Sequence, residues 1–158
     1  MTRHINTHEE NNVSDKQQTT TDQSLEAQRA LLEKRLPVDF REVRCLGDME
    51  LLEVGPRLIR LRTHISDDAL NPRGFAHGGW LFTLCDASSG ALVFSRGLDC
   101  VTQNASINYL HGGWPGDTVD IEVRALHWGR TTVVNQVTLT NQDDRPLAVA
   151  TMTMYVMH

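Results

Sequence analysis

The chain has 158 residues, 40% of them hydrophobic and 22% charged, with 15 Lys and Arg against 20 Asp and Glu for a net charge of −5. That length fits one domain, the acid excess argues against the basic face of a nucleic-acid-binding domain, and no apolar run approaches the ~18–20 residues of a membrane helix. Its three cysteines (Cys45, Cys85 and Cys100) form no C-x-x-C pair, so neither a disulfide framework nor a zinc ribbon is encoded, and with no apolar leader visible the expectation is a soluble, cytoplasmic protein.

Between Met1 and about Gln23 only Met1, Ile5 and Val13 are apolar, too little to offset the entropy of ordering, so residues 1–23 are expected to be a disordered tail before a single domain over 24–158. Ser24 is placed as the N-cap of a short helix whose apolar face would be Leu25, Ala27, Leu31 and Leu32, ended by Pro37. From Met49 to Ile65 the pattern turns strand-like. Leu51, Leu52 and Val54 precede the Gly55-Pro56 turn, and Leu58, Arg60 and Arg62 then alternate with Ile59, Leu61 and Thr63. A loop over Ser66 to His77 leads into the longest apolar segment, Gly78 to about Arg96. It is too long for one strand and apolar nearly all round, as a helix buried on most sides would be.

Four alternating segments complete the chain. In the first, Val101, Gln103, Ala105, Ile107 and Tyr109 share one face, opposite Thr102, Asn104, Ser106 and Asn108. The others cover Val119 to Ala125, Val133 to Thr140 and Leu147 to Val156, joined by turn residues at Gly112-Gly113, Pro115-Gly116-Asp117, Gly129 and Asn141 to Pro146. Short links predict that neighbours in sequence pair antiparallel. The fold class is therefore α+β, one antiparallel sheet wrapped around a central apolar helix, with a short N-terminal helix.

Several polar residues exceed what such a fold needs. Asn71-Pro72-Arg73-Gly74-Phe75-Ala76-His77-Gly78-Gly79 runs straight into the buried helix, and paired glycines are poor helix starters. They suit a place where backbone approaches a ligand, and a helix N-terminus offers unpaired N–H groups to an anion or oxyanion. A glycine turn beside a satisfied loop histidine accounts for them as well, and both readings stay open. Asp86 sits in the middle of the apolar helix, where an ionisable group is costly unless paired or functional; the alternative is one wet stripe shared with Ser88 and Ser89. Eight residues separate Gly78 from Asp86, about 12 Å along a helix and roughly 80° in rotation. One chain cannot bring both to one carbonyl carbon. Two such helices packed antiparallel across a two-fold axis could, so a site using both is expected to be shared between subunits.

From Val54 onward the chain resembles the hotdog-fold acyl-CoA thioesterases, in particular the phenylacetic-acid-degradation type of the hydroxybenzoyl-CoA thioesterase class. The matching string is Asn71, Gly74, His77-Gly78-Gly79, Asp86, Val101-Thr102, Ile107-Asn108-Tyr109-Leu110, Gly116-Asp117 and Gly129-Arg130, in order and over about two-thirds of the chain. The resemblance implies hydrolysis of an acyl-CoA to free acid and CoA. In it, Asp86 stands for the general base or nucleophile and Gly78 for the backbone donor that polarises the thioester carbonyl. His77 would help to fix the thioester, Asn71 would position carbonyl and water, and Thr102 would hold the water or the carboxylate. It also implies a homodimer, or a dimer of such dimers, in which Asn71, His77 and Gly78 come from one subunit and Asp86 and Thr102 from its partner.

Coenzyme A would be part of the substrate, so no separate cofactor is expected. Its phosphates need local cations in an acidic protein, and Arg73, Arg96 and Arg130 are the candidates, although for any single one the reading as a solvated surface arginine is favoured. His64, His111, His127 and His158 show no ligand spacing, so no metal site is expected. Cys85 reads as a small core residue and Trp80 as core, while Trp114 within its turn could edge a ligand or a subunit contact. An acyl-CoA-binding module without turnover, or an enoyl-CoA hydratase or dehydratase, are the alternatives. A pure binder has no need of Asp86, and the His-Gly-Gly context fits hydrolysis better than hydration. No nucleic-acid or membrane partner is expected.

Overall fold

A computed structural model describes residues 24–36, 46 and 48–157; the expected N-terminal tail, Pro37 and Cys45 lie outside the described residues. Helix α1 covers 24–36. It is followed by β1 (Glu50–Gly55), β2 (Leu58–His64), a single 3-10 turn (Asp67–Ala69), helix α2 (Gly78–Phe94), β3 (Asp99–Tyr109), β4 (Thr118–Trp128), β5 (Thr132–Asn141) and β6 (Pro146–Met157). All six strands form one antiparallel sheet in the order β1-β2-β4-β5-β6-β3. One face of it carries α2, which contacts β2 through β6.

The core lies between that face and the helix. Ile59, Leu61, Val119, Ile121, Val123, Val137 and Leu139 come from the sheet and meet Leu84, Cys85, Leu92 and Val93 of α2, all at most 1% exposed. Complete burial of a leucine such as Leu84 or Leu92 contributes roughly 1.5–3 kcal/mol. Cross-strand ion pairs lie outside this core. Arg62 Nε donates to Asp120 Oδ1 at 2.6 Å and Arg60 Nη2 to Glu122 Oε2 at 2.7 Å, each between residues directly opposite in the β2–β4 ladder. The polar positions of the alternation in β2 and β4 are thus paired with one another. No helix among the described residues is long and apolar enough to cross a membrane.

Four local expectations change. First, β3 does not pair with β4, its neighbour in sequence. It pairs with β6 at the far edge, because α2 crosses the sheet before β3 begins. The β3–β4 link then passes over the end of the sheet, where Gly113 O accepts from Ala76 N–H and Asp117 O from Ile65 N–H. Second, the alternation in β3 is broken by a bulge between Thr102 and Asn104. One extra residue shifts the pleat by one position. Cys100 and Thr102 therefore share the helix-facing side with Ala105, Ile107 and Tyr109, while Val101 falls out of phase with them and stays half exposed.

Third, α1 buries Gln28, Leu32 and Leu36, an i, i+4, i+8 stripe, and leaves Ala27 and Leu31 exposed. Ser24 is its first helical residue, and its Oγ accepts from Gln28 Nε2 at 3.3 Å. Fourth, Ser88 and Ser89 are fully buried, so Asp86 does not share a wet stripe with them. Ser89 Oγ is held by Asn135 Nδ2 at 2.7 Å from β5.

Candidate active site

The loop before α2 is built to expose a helix N-terminus. Asn71 Oδ1 accepts from Arg73 N–H at 2.8 Å, and Asn71 N–H donates to Phe75 O at 2.9 Å, closing a tight turn in which Gly74 takes φ +82°. Left-handed φ of this kind is what glycine tolerates. His77 is the N-cap of α2. Its Nδ1 accepts from Gly79 N–H at 2.9 Å, so that nitrogen is unprotonated and any ring proton sits on Nε2. The two readings of the histidine therefore meet: it is a satisfied cap, and it sits beside the exposed helix start.

The paired glycines have a steric cause. A Cβ on Gly78 would stand 3.3 Å from the Tyr109 ring, and one on Gly79 would stand 3.1 Å from His77 Nδ1. Tyr109 Oη donates to Gly78 O at 3.0 Å, pinning the first peptide of the helix from β3. The Gly78 N–H has no partner among the described residues and points from the positive end of the α2 dipole. Asn71, Gly78 and Tyr109 line a shallow cavity of about 230 Å³ with Leu110 and His111.

Asp86 lies two turns further along α2. Thr102 reaches across from β3 and its Oγ1 donates to Asp86 Oδ1, while the same oxygen lies 3.8 Å from Met154 Sδ. The bulge in β3 makes this contact, since it places Thr102 on the helix-facing side. Asp86 and Thr102 stand at a second cavity of about 390 Å³, whose other walls are apolar apart from Arg35. So the five predicted site residues fall into two groups within one chain. Asn71, His77 and Gly78 lie at the start of α2, and Asp86 and Thr102 lie at its middle.

Both cysteines beside Asp86 are held toward the protonated thiol. Burial pushes the Cys85 thiol up to about 12, with the Asp86 charge adding to it. Cys100 is pushed up to about 11 by burial and then by the charges of Asp99 and Asp86. Thiols so rarely ionised do not attack carbonyls at neutral pH. Among the described residues no group of His, Cys, Asp and Glu is arranged to hold a metal ion.

The three candidate phosphate cations are not brought together. Arg73 is exposed in the Asn71 turn. Arg96 lies beyond the other end of α2, donating to Pro56 O with its guanidinium 5.2 Å from the Trp128 ring centroid, and Arg130 follows in the β4–β5 turn. Trp80 is core, 5% exposed, whereas Trp114 is 58% exposed and meets Phe75 edge-on at 6.0 Å. Sequence reasoning missed Tyr109 as the partner of Gly78, and it missed Leu32, Arg35 and Leu36 of α1, which line the cavity beside Asp86. Tyr109 was at least visible as an aromatic ending a strand; nothing in the α1 sequence points to residues fifty positions away.

Residues 73–148 match the thioesterase superfamily. A Streptococcus mutans UA159 protein solved with acetyl-CoA is 45% identical, with 70% of this chain and 90% of that one aligned at a TM-score of 0.68. A hypothetical thioesterase from Streptococcus pneumoniae TIGR4, solved with coenzyme A, is 44% identical over 70% and 89% of the two chains at a TM-score of 0.67. Variants of that protein with an aspartate and a threonine replaced by alanine have also been solved, the two positions being 16 apart, which is the separation of Asp86 and Thr102. The acyl-coenzyme A thioesterase PaaI of Escherichia coli K12 is 31% identical over 85 residues, 54% of this chain, which spans only 61% of that protein's length. The E. coli PaaI structure overlays 85% of this chain at a TM-score of 0.77 and 20% identity, a likeness of fold. The chain belongs to the thioesterase superfamily and carries its hotdog fold.

Proposed function

We propose that this protein hydrolyses acyl-CoA thioesters. The observation that carries the proposal is the Asp86–Thr102 pair, a carboxylate oriented by a hydroxyl in the wall of an otherwise largely apolar cavity. A pocket that only bound an acyl group would not need a carboxylate there, since an unpaired charge weakens apolar binding. Relatives that hold acetyl-CoA and coenzyme A support the choice of thioester.

The working site is completed by a second copy. β3 is an edge strand with its outer backbone unpaired, and Val101, Tyr109 and Leu110 on or beside it are 47–51% exposed. Edges of this kind invite pairing with another strand. Along α2, Phe82, Thr83, Asp86 and Ala87 form the one stripe left half exposed in the middle of the helix. A two-fold axis beside that stripe sets the two α2 helices antiparallel. It brings Asn71, His77 and Gly78 of one subunit to Asp86 and Thr102 of the other, twice per dimer. The thioester carbonyl oxygen then takes the free Gly78 N–H, and its carbon faces Asp86. Asp86 acts as base for water or as nucleophile, and the negative charge developing on the oxygen is met by the donor and the helix dipole. Arg73, Arg96 and Arg130 remain candidates for the CoA phosphates.

The test is a panel of acyl-CoAs from acetyl to palmitoyl, plus phenylacetyl, with free thiol as the readout. Wild-type protein is expected to release CoA from at least one of them, and Asp86→Ala to lose 10²-fold or more. Wild-type rates in Asp86→Ala would contradict the proposal.

A further inference from the structure

The cavity beside Asp86 continues toward the C-terminal end of α2, and α1 lines its other side. Asp86, Gly90 and Phe94 follow at intervals of four, a stripe about 12 Å long, and all three line the cavity. Across from them stand Leu32 and Leu36 of α1, 1% and 5% exposed. At the far end the Arg35 guanidinium lies 4.7 Å from the Phe94 ring centroid.

Gly90 is the informative residue. Unlike Gly78 and Gly79, it has no ring within 3.4 Å of where a Cβ would go. A Cβ there would meet only Phe94 Cε2, at 3.9 Å, an ordinary contact. Glycine inside a helix is less favourable than alanine, so packing and propensity would both accept a methyl group at this position. What a side chain at 90 would remove is the space between Asp86 and Phe94.

Resting on the thioesterase reading, we propose that α1 and the Gly90–Phe94 stripe form the acyl-chain chamber, with Gly90, Leu36 and Phe94 setting its depth. An extended chain advances roughly 1.1–1.2 Å per atom, from 3.3–3.6 Å per three-atom residue. The 12 Å stripe therefore holds about ten carbons. The preferred substrates are aliphatic acyl groups of about eight to ten carbons, entering carbonyl-last past Thr102 and Asp86.

Two measurements test this on the full-length protein. The first is kcat/KM across acetyl-, butyryl-, octanoyl-, decanoyl- and palmitoyl-CoA. Wild type is expected to prefer octanoyl or decanoyl over acetyl by at least tenfold. Gly90→Leu, which fills the chamber, reduces the octanoyl-to-butyryl ratio at least tenfold. Leu36→Ala, which deepens it, moves the optimum to longer chains, so a folding failure in one variant leaves the other to decide. A wild-type preference for acetyl, or an unchanged profile in a folded variant, overturns the proposal. The second is calorimetric binding of the non-hydrolysable thioether S-octyl-CoA against CoA itself. Wild type is expected to bind the thioether at least tenfold more tightly, and Gly90→Leu to lose that margin; equal margins in the two proteins overturn the chamber. If no acyl-CoA is cleaved, hydrolysis is refuted and the binding margins alone decide the chamber.

Discussion

Replacing Thr102 with valine removes one hydroxyl and nearly preserves side-chain shape, so a methyl group fills the place beside Met154 while the hydrogen bond to Asp86 Oδ1 is lost. A hydrogen bond to a charged group contributes roughly 1.5–3 kcal/mol. At 1.36 kcal/mol per tenfold in rate, that corresponds to roughly 10- to 150-fold in kcat/KM if the bond is needed in the transition state. Thr102 is exposed in the single chain, so water can replace part of the bond and the lower half of the range applies. The assay is free-thiol release from the best acyl-CoA, run beside thermal melts. The expected outcome is a loss of about 10- to 30-fold in Thr102→Val with a melting temperature close to wild type, and recovery to within a few fold in Thr102→Ser. Valine activity within twofold of wild type, or serine as impaired as valine, would refute the role given to the hydroxyl.

Three further outcomes follow from the same geometry. Gly78→Ala places a methyl 3.3 Å from the Tyr109 ring and tilts the first peptide of α2, so activity should fall by about 10²-fold, the scale of one lost oxyanion donor, while the fold is retained; near-normal turnover would show that the donor is elsewhere. Cys85, fully buried with its thiol pushed up to about 12, should resist iodoacetamide at pH 8 in native protein and react after denaturation, as read by peptide mass spectrometry. Native labelling at Cys85 would contradict the packing of α2. Burial raises the Glu122 carboxyl, but hydrogen bonds from Arg60 and Arg124 and their charges outweigh it and hold it below its ordinary value. A lowered folded value means the contribution is full above the ordinary carboxylate range and fades as pH falls through the folded value. Glu122→Gln should therefore lose less stability than wild type between about pH 5 and pH 3 in denaturant titrations, the difference at neutral pH staying below ~1 kcal/mol for an exposed pair.

The elements that were legible in the sequence are those whose burial follows one simple period. β2 and β4 alternate strictly because one face meets α2 and the other carries paired charges, as Arg60–Glu122 and Arg62–Asp120 show. α2 was legible because its apolar residues go all the way round and a strand cannot be that long. β3 was not, for its alternation is real on each side of Gln103 but changes phase there, and a bulge is a response to pairing with β6 that no local pattern records. The buried stripe of α1 was hidden because one of its three members is Gln28, which reads as surface. In the site, the local devices were readable: the glycines, the histidine cap and the misplaced aspartate. The long-range ones, Tyr109 on Gly78 and α1 against Asp86, depend on where the sheet edge and the N-terminal helix come to rest.

The central claim is that Gly78 and Asn71 of one subunit work with Asp86 and Thr102 of another. Subunit complementation tests it most directly. Asn71→Ala and Asp86→Asn are each expected to be nearly inactive. If the two are unfolded and refolded together in equal amounts, half of the dimers are mixed, and each mixed dimer carries one intact site and one doubly altered site. The mixture is expected to recover about a quarter of wild-type activity. Activity no greater than the average of the two variants alone, in a sample shown to contain mixed dimers, would place each complete site within a single chain and contradict it.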